Sequence, residues 1–249
     1  MKWHWLMSGS SKSGFKWTGG ETIDREFGVL VEAVIGEPNF KNIWWMEKAL
    51  EASKAVARVK LPAGSATGFL IAPDILMTNN HVFENKADAA NATIQFNYRL
   101  IADGSPAPVD EWQCDPDDLF KTNPTLDYSI VRLESKEDKK AGDSRGFFNL
   151  RHGVDSVVNQ RVNIIQHPGG RFQEIAFREN LIKDVTDSYI QYLTDTDYGS
   201  SGSPVLDDWF NVIALHNQRV RDPNDPYRWY RNQGFRVTAI LSDAGNLIP

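Results

Sequence analysis

The sequence holds a single cysteine, Cys114, among its 249 residues. A disulfide framework within the chain is therefore excluded, and a thiolate metal site would lack ligands. A fold of this length must stand on core packing, which is compatible with a reducing compartment. A basic stripe is also missing. Lys and Arg number 27 against 33 Asp and Glu, a net charge of −6, so nucleic acid is not an expected partner. Met1 to Gly20 contain no apolar run of the length a signal peptide or membrane span needs. The expectation is a cytoplasmic chain without membrane contact, or a secreted one if that start is not native. His152 and His167 have no partner at metal-ligand spacing, so both read as structural and no metal is expected.

What is present is an ordinary globular composition, 41% hydrophobic and 24% charged. Residues 1–42 are rich in glycine and serine, without a firm period, and read as an N-terminal arm. Over 43–54 the apolar positions Ile43, Met46 and Leu50 recur at helical spacing, predicting one short helix that packs on the domain, with Trp44 and Trp45 docking it. Thereafter short strands dominate, among them Thr67–Ile71, Ile75–Thr78, Tyr128–Leu133, Pro204–Leu206, Val212–His216 and Phe235–Ile240. Turn signals lie between them, and almost no helix is expected. The pattern predicts an all-β sandwich or barrel. The charged stretch Glu134 to Gly146 reads as a linker between halves, and Arg221 to Pro226 as an exposed loop. Tyr227, Trp229 and Tyr230, beside Arg228 and Arg231, could stack on a ligand but read better as packing over the second half.

Three segments carry chemistry. In Gly199-Ser200-Ser201-Gly202-Ser203-Pro204, small neighbours let the backbone turn tightly around Ser201 and aim the N–H groups of Gly199 and Ser201 at one oxygen. Alone, such a hexapeptide is equally a surface turn. In Met77-Thr78-Asn79-Asn80-His81-Val82 a histidine ends an apolar strand, where it could serve as a base of near-neutral pKa. In Leu126-Asp127-Tyr128-Ser129, one carboxylate stands at the mouth of another apolar strand, as a cap or as the acceptor for a histidine N–H. Cys114 has no base motif beside it. The chain order His, Asp, Ser is the order of the chymotrypsin barrels, and not of subtilisins or α/β-hydrolases.

These segments resemble the three catalytic motifs of trypsin-like serine peptidases, in particular the bacterial, disulfide-free branch related to glutamyl endopeptidases. The phrase Asn163-Ile164-Ile165-Gln166-His167-Pro168-Gly169-Gly170 resembles the strand and turn that open the second barrel there. The likeness covers roughly residues 55 to 245. It implies two six-stranded antiparallel β-barrels, residues 55–140 and 141–249. It also implies a triad of His81, Asp127 and Ser201, an oxyanion hole from Gly199 and Ser201, and peptide hydrolysis without cofactor. Digestive relatives carry an aspartate before the nucleophile that pairs with a newly cut N-terminus. Here that position is Ser200, so a regulatory protein acting at the N-terminal arm is the better expectation.

For the residue before the scissile bond, the resemblance implies a pocket built from Asp195, Thr196, His216, Asn217, Arg219 and Gly234. Asp195 stands where trypsin-like enzymes place an acid for Arg or Lys, whereas Thr196 and His216 match the pair that holds an acidic side chain. The charge argument leans towards a basic residue. Asn217 to Arg219 should pair with the substrate as an added strand. The leading expectation is an endopeptidase of restricted range acting on protein or peptide, in the setting of bacterial defence or signalling. The alternative is a silent barrel that serves as a binding module.

Overall fold

The computed structural model describes residues 23–24, 29–30, 40–150, 155–178 and 180–248. The chain divides into two compact units, Met1–Met46 and Glu47–Pro249. In the first, β1 (Ile23–Asp24) and β2 (Val29–Leu30) pair antiparallel; the rest of the expected arm up to residue 39 lies outside the described residues. Helix α1 (Trp44–Lys54) forms where the spacing predicts it. Its apolar stripe does not turn inward, however: Ile43, Met46 and Leu50 are all more than half exposed, and Trp45 is the helix's buried residue. One large indole buries more area than the narrow stripe of single apolar residues does.

The second unit holds two seven-stranded antiparallel sheets. The first contains β3 (Val56–Leu61), β4 (Gly64–Ala72), β5 (Ile75–Thr78), β6 (Thr93–Phe96), β7 (Asp110–Trp112), β8 (Cys114–Asn123) and β9 (Tyr128–Leu133), with α2 (Lys86–Ala90) between β5 and β6. The second contains β10 (Asn163–Gln166), β11 (Glu174–Ala176), β12 (Ile182–Val185), β13 (Tyr189–Tyr192), β14 (Pro204–Leu206), β15 (Val212–Asp222) and β16 (Asp225–Arg236), followed by α3 (Val237–Ala244). Strand order is β7-β6-β3-β4-β5-β9-β8 in one and β11-β10-β14-β15-β16-β13-β12 in the other. This is the expected all-β, chymotrypsin-like architecture, with seven strands per sheet instead of six. Val162, Ile164, Ile182, Ile190, Tyr192, Val205, Ile213 and Ala214 form one buried core of the second sheet. Each large aliphatic among them contributes about 1.5–3 kcal/mol.

Other expectations need correction. Phe235–Ile240 is not a strand: β16 ends at Arg236, and Val237, Ile240 and Ala244 become the buried face of α3, capped by Gly245 at φ +62°. The i, i+3, i+7 spacing is helical, and the β-branched residues masked it. Arg221 to Pro226 is not a loose loop either. β15 and β16 continue through it as one long hairpin closed at Pro223-Asn224, with Asp222 opposite Asp225. Tyr227 and Trp229 therefore stand out from the domain, 91% and 44% exposed, instead of packing over it. The supposed linker is partly built in: Gly142 N–H donates to the Pro73 carbonyl at 2.7 Å, and Ala141 is fully buried.

Candidate active site

Strand β5 delivers His81. Its last residue, Thr78, is buried and donates its hydroxyl to the Thr67 carbonyl of β4 at 2.8 Å. Next, the buried Asn79 donates its side-chain amide to the Asp127 carbonyl at 2.8 Å. The N–H groups of Val82 and Phe83 turn back onto the Asn79 carbonyl, so His81 rides on a tight turn. Asp127 precedes β9 at φ +45°, a left-handed conformation that aspartate tolerates better than most residues. Its carboxylate accepts from the His81 backbone N–H at 3.0 Å and faces His81 Nδ1 at 2.9 and 3.1 Å. An ionised carboxylate can only accept, so Nδ1 carries the proton and Nε2 keeps its lone pair.

Ser201 lies between β13 and β14, flanked by Gly199 at φ +91° and Gly202 at φ +84°. Thr67 of the first sheet grips this loop twice. Its N–H donates to the Ser201 carbonyl and its hydroxyl to the Gly199 carbonyl, both at 2.9 Å. Nothing in the sequence marks Thr67, a polar residue entering an apolar strand. The Tyr198 carbonyl accepts from Gly169 N–H, and the Ser200 carbonyl accepts from Ser203 N–H and hydroxyl. In a trans peptide the N–H points opposite to the carbonyl, so Gly199 N–H and Ser201 N–H face the other way. No acceptor holds either of them among the described residues. The Ser201 hydroxyl likewise donates to no described acceptor, so its contact with His81 Nε2 is open in this structure. Ser200 is buried, and its hydroxyl accepts from Asp197 N–H at 3.0 Å, a neutral turn where digestive enzymes hold an ion pair.

Residues 66–215 match the trypsin-like peptidase domain family. This chain belongs to that family. It is 32% identical over 258 residues to an uncharacterized protein, y4fB, of Sinorhizobium fredii, an alignment covering 86% of this chain and 39% of that protein. It is 24% identical over 206 residues to the glutamyl endopeptidase of Bacillus licheniformis, covering 76% of this chain and 61% of the relative. The chain thus spans about two fifths to three fifths of the length of these relatives. A solved Glu endopeptidase shares the fold at a TM-score of 0.59 and 20% identity, over 78% of this chain and 90% of that one. The MamO protease domain from Magnetospirillum magneticum does so at 0.58 and 12%, over 78% and 97%.

In this trypsin-like chain a cavity of about 310 Å³ opens beside Ser201, lined by Thr196, Asp197, Tyr198, His216, Asn217, Gln218, Arg219 and Trp229. Four of the residues expected in the pocket, Thr196, His216, Asn217 and Arg219, are therefore brought together. Asp195 is not among them. It is exposed and lines a separate hollow with Gln166, Arg171 and Arg178, and its carbonyl accepts from Gln166 Nε2. Gly234 also lies outside the cavity, opposite His216 in the β15–β16 ladder, where a Cβ would meet the Leu215 carbonyl oxygen at 2.8 Å. Tyr198 lies in the stretch before the nucleophile, Asp195 to Tyr198, that was expected to build the pocket, whereas Trp229, read as packing over the second half, is a cavity residue that sequence reasoning missed. Among the described residues no group of three His, Cys, Asp or Glu could hold a metal ion, and no helix is long and apolar enough to cross a membrane.

Two histidines behind the site are held neutral. Burial pushes His216 down to about 4, with its Nδ1 2.7 Å from the Tyr192 hydroxyl. Burial also pushes His167 to about 4, with the Arg58 charge adding to the shift and the Arg171 carbonyl opposing it. Both sit below the ordinary 6.5, so between those values the unfolded chain binds more protons and stability rises with pH. The contribution is complete above pH 6.5 and is lost as pH falls towards 4, on the order of 3 kcal/mol per histidine. The carboxylates of Asp74, Asp110 and Asp243 are lowered below 3.8, so their losses come at still lower pH. Urea unfolding measured from pH 7 to 4 should show this slope; a flat unfolding free energy over that window would refute the burial of neutral histidines.

Proposed function

We propose that this chain is a serine endopeptidase that cuts after acidic residues. The observation that carries the reading is the His81–Asp127 pair together with a nucleophile loop whose Gly199 and Ser201 N–H groups lack acceptors among the described residues. In the reaction, Ser201 Oγ attacks the carbonyl carbon and its proton passes to His81 Nε2. Asp127 holds Nδ1–H and stabilises the imidazolium. The developing oxyanion takes the two free N–H groups, each of which typically supplies about 10²–10³ in turnover. His81 then protonates the leaving amine, and water, activated by the same imidazole, cleaves the acyl-enzyme. Cys114 is no rival nucleophile: it is buried and its thiol is pushed up to about 12, first by burial and then by Glu134.

The charge argument for a basic substrate rested on Asp195, which lies outside the cavity. Inside it is the Arg219 guanidinium, beside a His216 that burial keeps neutral, against one acid, Asp197, whose carboxylate already takes Tyr198 N–H and pairs with Arg171 at 3.5 Å. That balance favours an anionic side chain, as do the relatives named glutamyl endopeptidases. A cytoplasmic setting, a restricted substrate range and a regulatory partner acting through the N-terminal arm complete the proposal; they draw support from the lone cysteine and from Ser200 at the ion-pair position.

A fluorophosphonate probe should label the wild-type chain and not Ser201→Ala. Cleavage profiling on proteome-derived peptides should then place Glu or Asp before the scissile bond, with Asp195→Ala leaving that preference in place. Equal labelling of both proteins would favour a silent barrel. Cleavage after Lys or Arg that disappears in Asp195→Ala would reverse the specificity.

A further inference from the structure

The β15–β16 hairpin reaches well past the residues that the proposed reaction uses. β14 pairs with β15 no further than Pro204 opposite Leu215, and the last bonds on that side are those of His216, whose N–H donates to the Ser203 carbonyl and whose carbonyl accepts from Gly202 N–H. From Asn217 to Asp222 β15 is paired with β16 on one side, and its other edge has no partner strand among the described residues. Six residues of open edge extend about 20 Å at ~3.3 Å per residue. Pairing over Asn217–Arg219 occupies half of it. The remainder, Val220–Asp222, leads away from Ser201 as a continuation of the same ledge.

The side chains on that ledge are specific. Arg219 and Arg221 are two apart on one strand and so share a face. Both guanidinium groups lie over a single indole, that of Trp229, at 4.9 and 4.1 Å from the ring centroid. Trp229 stands opposite Arg221 in the ladder, and both Arg219 and Trp229 line the cavity that contains Ser201. Stacking holds two planar guanidinium groups in fixed orientation over the ring. Two like charges over one indole repel, and an anion laid across them relieves that repulsion. Arg219 has no carboxylate partner among the described residues. At the hairpin tip Asp222 accepts Asn224 N–H and Asp225 accepts Tyr227 N–H. In a chain of net charge −6 this hairpin carries five arginines, Arg219, Arg221, Arg228, Arg231 and Arg236, against two aspartates, a local reversal of sign.

We infer that the hairpin is an extended subsite for acidic substrate segments. The chain preceding the scissile bond adds antiparallel to β15 as far as Asp222. Its carboxylates, about three and five residues before the cut, are held by Arg219 and Arg221 on Trp229. The inference rests on the peptidase reading for its orientation, and its test separates the two. Decapeptides with Glu before the scissile bond carry Glu, Gln or Lys at the third and fifth positions upstream. They are compared as substrates of the full wild-type chain and as ligands of Ser201→Ala by fluorescence anisotropy. Glu peptides should be favoured over Gln peptides by about tenfold or more, with the gap shrinking as salt rises. Arg221→Ala should collapse that ratio. Arg228→Ala should keep it, because the arginines over Trp229 are Arg219 and Arg221 and Arg228 does not line the cavity.

Glu and Gln peptides that agree within about twofold in both measurements would overturn the subsite, as would equal losses in Arg221→Ala and Arg228→Ala. A chain that the fluorophosphonate probe fails to label, but whose Ser201→Ala form still binds Glu peptides through Arg221, would keep the subsite and remove the peptidase.

Discussion

Replacing Asp127 by asparagine should lower peptide hydrolysis about 10⁴-fold at neutral pH while leaving the backbone in place. Asparagine tolerates the left-handed φ of +45° as well as aspartate does, so the turn before β9 is not newly strained. What changes is the proton. One carboxylate oxygen accepts from the His81 backbone N–H at 3.0 Å, and an amide oxygen would take that place. The amide nitrogen must then occupy the position of the other oxygen, 2.9 Å from His81 Nδ1. As an NH₂ it can only donate, so Nδ1 must accept and the proton moves to Nε2, the atom that has to receive the Ser201 proton. The measurement is kcat/KM on a peptide cut by the wild type, with circular dichroism to show an unchanged fold. A loss smaller than about tenfold would mean that Asp127 does not set the tautomer.

The parts of this site that could be read in the sequence are those where chemistry demands a residue type at a local position. His81 follows one apolar strand and Asp127 precedes another, and Gly199 and Gly202 bracket a pair of serines, so short windows were sufficient. The pocket was less legible, because its walls come from register. Asp195 and Thr196 are adjacent in sequence, and only the path of the chain after β13 decides that Thr196 enters the cavity and Asp195 leaves it. The same holds for Trp229, which reaches the cavity because β16 pairs with β15 through several register shifts. Strand β8 escaped notice for a different reason. Its sequence, Cys114 to Asn123, carries three aspartates and a proline, and it is tolerated as the edge strand of the sheet with a break between Asp115 and Phe120.

Helix α3 shows how distant elements converge on the candidate triad. Asp243 on that helix accepts the Tyr128 hydroxyl in a short contact and pairs with Lys121 at 3.5 Å. Tyr128 follows Asp127 directly, and burial, reinforced by the Asp243 carboxylate, raises its hydroxyl well above the ordinary value. The C-terminal helix, folded against the second sheet's hairpin, thereby braces the strand of the first sheet that presents the carboxylate to His81.

The second large effect is expected at Gly202, where two glycines with the same backbone angle separate conformation from space. Gly202 and Gly104 both have φ +84°. A Cβ on Gly104 would meet nothing within 4 Å, so Gly104→Ala should cost only the left-handed conformation, about 1–2 kcal/mol. A Cβ on Gly202 would lie 2.1 Å from the Thr67 carbonyl oxygen and 2.3 Å from Thr78 Oγ1. Neither atom can give way. The Thr67 carbonyl sits in the middle of β4 and accepts the Thr78 hydroxyl at 2.8 Å, and both threonines are fully buried. The loop itself must move, breaking the Thr67 N–H bond to the Ser201 carbonyl and the Gly202 N–H bond to the His216 carbonyl, 2.9 and 3.0 Å. Because the residue displaced adjoins Ser201, a shift of about 1 Å is expected to cost on the order of 10²-fold in turnover, beyond any loss of stability. Urea unfolding of both variants, with kcat measured on the folded fraction, checks the comparison. Near-equal behaviour of Gly202→Ala and Gly104→Ala would mean that the close approach of the two sheets at Thr67 does not hold the nucleophile in place.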